Sequence, residues 1–100
     1  MKAKIEKILL GCQVTLGGKK VNARHGYIIK ISRVLRKPRY VRLNTPLSQV
    51  INGGEYISIS LTVRQSQATV FREGENHYTR DMAEKITNMI NNEPDRFVIN

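Results

Sequence analysis

The chain has 100 residues, 40% of them apolar, and a formal charge of +9 from 17 basic and 8 acidic residues. Such a length bounds a single domain (1–100) with one modest core, and the apolar content excludes a chain too polar to fold. Cys12 is the only cysteine, which excludes an intrachain disulfide and a cysteine-cluster metal site, and fits a reducing compartment.

The charge is distributed unevenly. Residues 1–54 hold 12 basic residues and one acid, Glu6; residues 55–100 hold 5 basic and 7 acidic ones. The halves therefore carry +11 and −2. Between Glu6 and Glu55 there is no carboxylate at all. A field of one sign over half a domain is costly without counter-charge, and it points to a partner rich in negative charge.

The N-terminus has a basic start and a short apolar run, Ile8 to Leu10, too short for a signal segment or a membrane span. A soluble, unexported, cytoplasmic protein is expected. Residues 8–16 alternate, with Ile8, Leu10, Cys12, Val14 and Leu16 on one side, which predicts a strand with one buried face. Cys12 falls in the apolar row and is expected to pack as a small hydrophobe. Gly17-Gly18 suits a tight hairpin turn, and the return strand begins at Lys19-Lys20. Arg24-His25-Gly26 marks a bend or bulge, and the apolar phase slips again near Ser32-Arg33, where a second bulge or the strand end is expected. Pro38 cannot donate to a ladder, so a turn is placed at 36–38. RYVRL then alternates, with Val41 and Leu43 inward and Tyr40 and Arg42 outward.

Asn44-Thr45-Pro46 reads as a helix cap followed by proline, with PLSQVI as a short helix and Gly53-Gly54 as its stop. Residues 56–64 form the clearest strand: Ile57, Ile59, Leu61 and Val63 face inward, and a small polar row faces away. QATVFR is expected to pair back on it as a hairpin. Residues 73–78 hold two carboxylates and His77, and a solvated loop is a better reading of them than a metal site. Thr79 is the predicted cap of an amphipathic helix over 79–91, with Met82, Ile86, Met89 and Ile90 on one stripe and Asp81 four residues before Lys85. The tail carries Phe97, Val98 and Ile99, a candidate terminal strand. Together these predict an α+β fold: a twisted antiparallel sheet of five to six strands, one C-terminal helix, and a short terminal strand.

No pattern of a nucleophile, base or metal cluster is present, so no enzyme and no cofactor is expected. The positive signal is basic residues interleaved with tyrosines on strands. Arg and Lys neutralise phosphates, and aromatic faces stack on unpaired bases. The expected function is nucleic-acid binding, single-stranded DNA or RNA in preference to duplex, because the one clear helix is near neutral. The expected binding residues are Lys19, Lys20, Arg24, Lys30, Arg33, Arg36, Lys37, Arg39, Tyr40, Arg42 and Tyr56, with Tyr27 and Tyr78 as further stacking candidates. In outline such a chain is similar to several single-strand binders, many of them dimers, and a homodimer is expected. The alternative is an assembly module that docks on an acidic protein.

Overall fold

The computed structural model describes residues 2–14, 20–51, 56–72 and 78–99, with the backbone alone at 10–14, 20–24 and 51. In chain order the elements are β1 (Lys2–Val14), β2 (Lys20–Arg33), β3 (Arg36–Leu43), α1 (Leu47–Ile51), β4 (Ile57–Thr62), α2 (Arg80–Asn92) and β5 (Phe97–Ile99). The fold is α+β. The strands form one sheet in the order β1-β2-β3-β4-β5. The first three pairings are antiparallel, and β5 joins β4 in parallel, so the sheet is mixed rather than purely antiparallel. No helix among the described residues is long and apolar enough to cross a membrane.

The period-two pattern divides the sheet into two faces. Ala3 lies opposite Ile31 and Ile5 opposite Ile29; Val41 lies opposite Leu61 and Leu43 opposite Ile59. These residues, with Tyr27 and Ile57, make the core against Ala83, Ile86, Met89 and Ile90 of α2. The stripe expected from spacing is thus the buried stripe. Thr79 caps the helix as its sequence position predicts, its Oγ1 accepting from Met82 N at 3.2 Å. Arg80 and Glu84 form an ion pair along the exposed side at 3.5 Å. Thr87, buried mid-helix, donates to Ala83 O at 2.7 Å, so its hydroxyl carries no unpaired burial cost. At the far end Asn91 reaches the outer edge of β1, accepting from Ala3 N at 2.7 Å and donating to Ala3 O at 3.0 Å.

Several local expectations are corrected. β1 starts at Lys2 rather than at residue 8. The Gly17-Gly18 turn and Gly53-Gly54 lie outside the described residues, as does the loop at 73–77, and the side chain of Cys12 is likewise outside them. The pairing of β1 with β2 shifts register on both sides of Gly11, opposite Arg24, which matches the bulge read at 24–26. The slip near Ser32-Arg33 is both a bulge and the end of β2. The turn, however, is Val34-Leu35 and not 36–38: Arg33 pairs with Arg36, and Pro38 sits inside β3. Pro38 is tolerated because β4 pairs with β3 only from Tyr40 onward and the bulge lies opposite. Leu35 holds a φ of 59°, a left-handed conformation that a branched side chain enters at a cost. Asn44 does not cap α1. Its amide instead donates to Ser60 Oγ at 2.8 Å, across to β4. Val63 is exposed, lying past the end of β4.

The largest departure is QATVFR. It makes no hairpin with β4. After a single 3-10 turn at Gln65–Gln67 it enters the sheet between β2 and β3, which part beyond Lys30 and Tyr40. Phe71 and Tyr27 exchange both backbone hydrogen bonds at 2.8 Å. On the other side Thr69 N donates to Val41 O at 3.1 Å, and Thr69 Oγ1 accepts from Leu43 N at 2.8 Å. Edges that the parting strands would leave unpaired are thereby satisfied. The chain passes through this gap from the helix-free face to the helix face.

Ile59 lies at the centre of this core and is fully buried. Ile59→Asp places a charge there without a partner, and the expected loss is about 4 kcal/mol or more. A thermal melt followed by circular dichroism checks it; an unchanged midpoint would remove Ile59 from the core.

Candidate nucleic-acid interface

The residues of opposite parity lie on the face without α2. Lys2 is opposite Ser32 and Lys4 opposite Lys30; Lys30 is opposite Tyr40, and Tyr40 opposite Thr62. One row across four strands therefore reads Lys4, Lys30, Tyr40, Thr62. Arg42 follows on the same face, opposite Ser60. The sequence expectations Lys30, Tyr40 and Arg42 are brought together here. Lys2 and Lys4 join them and were not anticipated. Their signal was available in MKAKIEK, where Lys2, Lys4 and Glu6 alternate with Ala3 and Ile5.

Arg33, Arg36 and Lys37 lie at the end of the β2–β3 ribbon, next to the Val34-Leu35 turn. Arg39 pairs with Ile31 and so sits on the helix side, half-buried at the rim. Among the described residues, Arg33, Arg36, Lys37, Arg39 and Arg42 form no ion pair. Tyr56 is 67% exposed but stands before β4, six residues from Thr62 and so about 20 Å from Tyr40's row. It is not part of the same patch. Lys19 lies outside the described residues; Lys20 and Arg24 are placed in β2 by their backbone only.

Two further tyrosines do not stack freely. Tyr27 is buried in the core, with the Arg80 guanidinium 5.3 Å from its ring centre. Tyr78 packs against Phe71, ring centres 6.0 Å apart, just before the helix. Tyr40 is half-buried, and its hydroxyl accepts from Gln65 Nε2 at 3.3 Å. That bond fixes the ring's orientation on the cationic face.

Among the described residues Glu6 is the one acid on this face. Gln65 Nε2 also approaches its Oε1 at 3.4 Å, while Lys30 Nζ stands 4.0 Å from Oε2. Oε2 is enclosed and accepts no hydrogen bond, so Lys30 answers its charge from beyond hydrogen-bond distance. Because Glu6 pairs with Ile28, the Gln65 contact places the crossing segment over that row, and Ile28 is fully buried on this face. Beside it Lys7, Ile8, Leu9, Ser66 and Val70 line an open cleft. Glu6 therefore serves as internal counter-charge for one lysine, whereas Lys2, Lys4 and Arg42 form no ion pair among the described residues.

Lys30 has a structural as well as an electrostatic part here. Lys30→Met leaves the enclosed Glu6 oxygen without compensation, and a loss of about 1 kcal/mol is expected in urea unfolding. The double variant Lys30→Met with Glu6→Leu is expected to recover most of it, since both charges are then gone. An equal or larger loss in the double variant would show that the pair is not what stabilises this row.

No family model matches the chain, and no curated protein or solved structure matches it either, so its function is read from the chemistry of this face alone.

Proposed function

We propose that this protein binds nucleic acid, single-stranded DNA or RNA in preference to duplex, through the helix-free face of its sheet and the ribbon end beside it. The observation that carries the reading is the cross-strand row Lys4, Lys30, Tyr40, with Lys2 and Arg42 on the same face. Like charges directly opposite each other destabilise a sheet, and Lys4 faces Lys30 while Arg33 faces Arg36. Lys30 has Glu6 4.0 Å away, but Lys4, Arg33 and Arg36 form no ion pair among the described residues, and a phosphate backbone supplies anions for them. Tyr40 lies among these cations where a base can stack. The preference for single strands follows from α2. It carries Arg80 and Lys85 against Asp81 and Glu84, too little positive charge for a major-groove helix, and it packs on the other face.

The alternative, docking on an acidic protein, draws on the same charges and is separated from the first by the partner's chemistry. Association of two copies belongs to this reading too. The edge of β1 is met by Asn91, whereas the edge strand β5 exposes Val98 and Ile99 by 46% and 47%. Pairing of β5 edges would cover them.

Lys4 and Arg42 are exposed, and their side chains form no hydrogen bond or ion pair among the described residues. A strand touching about four to six phosphates gives a log–log salt slope of roughly −3 to −4. Lys4→Glu with Arg42→Glu is expected to flatten it by about one unit per lost contact and to weaken all sequences alike. Titration of labelled single-stranded DNA, RNA and duplex at several salt concentrations measures this. If the double variant folds and binds as tightly as the parent, the interface lies elsewhere on the molecule; if the parent binds none of the three, the protein-docking reading leads.

Light scattering at rising protein concentration tests association. A dimer is expected, and Ile99→Lys is expected to shift it to monomer; a parent that stays monomeric would end the β5 proposal.

A further inference from the structure

The β2–β3 turn is built against the usual chemistry of a two-residue hairpin. Asn-Gly or Asp-Gly is the common choice there, because such loops need positive φ. This turn has Val34 and Leu35, 89% and 101% exposed, with Leu35 at a φ of 59°. Asn would hold that conformation at less cost. The turn also projects. Among the described residues β1 pairs with β2 no further than Ser32, and β4 pairs with β3 only from Tyr40, so residues 33–36 extend beyond both neighbours. Arg33 and Arg36 stand directly opposite each other at the base of the apolar tip, and Lys37 follows. Two exposed aliphatic side chains are thus held out on a strained turn between cations that repel one another.

We propose that Val34 and Leu35 form a wedge that enters between two adjacent bases of a bound strand and breaks their stack, while Arg33, Arg36 and Lys37 hold the phosphates on either side. The proposal rests on the nucleic-acid reading above and adds the mode of binding. Apolar wedges offset the cost of unstacking with their own burial between the bases. An anionic bilayer would also accept an apolar tip with a basic collar. The cations here do not stop at the collar, however. They continue down one face through Lys30, Lys4 and Lys2, with Arg42 beside them. A membrane's surface field falls away within a Debye length of the tip, whereas a strand of phosphates can follow that track.

The test uses the full chain and single-stranded DNA oligonucleotides carrying 2-aminopurine at successive positions, a base whose fluorescence rises when it unstacks. The parent is expected to raise fluorescence on binding. Val34→Ser with Leu35→Asn is expected to bind about tenfold more weakly, with an unchanged salt slope and no fluorescence rise. Asn suits the left-handed position, so this variant is expected to keep the parent's melting curve, which circular dichroism confirms. Binding by the parent without any fluorescence rise would sink the wedge and leave the nucleic-acid reading standing. A rise that survives in the variant would also sink it. Absence of binding to every oligonucleotide would remove both. Tip-dependent sedimentation with phosphatidylcholine–phosphatidylserine vesicles would assign Val34 and Leu35 to a bilayer and overturn the proposal.

Discussion

The fold depends on how the inner edge of β2 is satisfied. That strand has β1 along one side for most of its length, but β3 stays beside it only near the ribbon end. Where the two part, the backbone of Thr69 to Phe71 fills the gap, bonded to Tyr27 on one side and to Val41 on the other. Without this segment two buried strand edges would face each other unpaired, at a cost comparable to several lost hydrogen bonds. The same segment buries Phe71 and leads the chain to the side where α2 packs. Helix placement, core closure and the partial cover over Ile28 and Glu6 all follow from that one insertion.

It also sorts the charge. By carrying the second half of the chain to the far side, it puts Asp81 and Glu84 on the outer surface of α2, away from Lys2, Lys4, Lys30 and Arg42. Among the described residues the helix-free face thus holds Lys2, Lys4, Lys30 and Arg42 against the single acid Glu6. A sheet open on one face and covered by a helix on the other offers a flat surface, and the molecule is correspondingly thin, 53 × 35 × 19 Å. Its radius of gyration of 15.1 Å exceeds the about 13 Å of a compact 100-residue domain. The β1–β2 hairpin accounts for the length, since 14 residues of β2 span about 45 Å against about 20 Å for α2.

The elements whose cause is local were legible in the residues. The stripe Met82, Ile86, Met89, Ile90 predicts the buried face of α2, with Met82 only half-buried at its margin; Thr79 predicts its cap; and the alternation at 57–63 predicts which side chains enter the core except Val63, which lies past the end of β4. The uneven charge was legible too, because residues 7–54 hold no acid, whereas the face each cation takes depends on the pairing of the strands. The Val34-Leu35 turn was not, because those residues have no turn chemistry of their own, while Pro38 nearby does. Pro38 disrupts a strand only where its missing N–H would face a paired neighbour, and β4 ends at Thr62, opposite Tyr40, short of Pro38.

What the sequence by itself determined, then, is the set of periodicities, the helix with its cap, and the sign of the charge in each half. Only the tertiary structure decided that Lys2 and Lys4 stand beside Lys30, that Tyr27 is core, and that Tyr56 lies away from Tyr40. It also decided that residues 69–71 bond to two strands at once, neither of them the strand before them. The reason is the range of the interactions. A period of two or 3.6 residues states which side chains share a face of one element, whereas strand order, register and the filling of a gap depend on backbone groups distant in sequence, which carry no residue code.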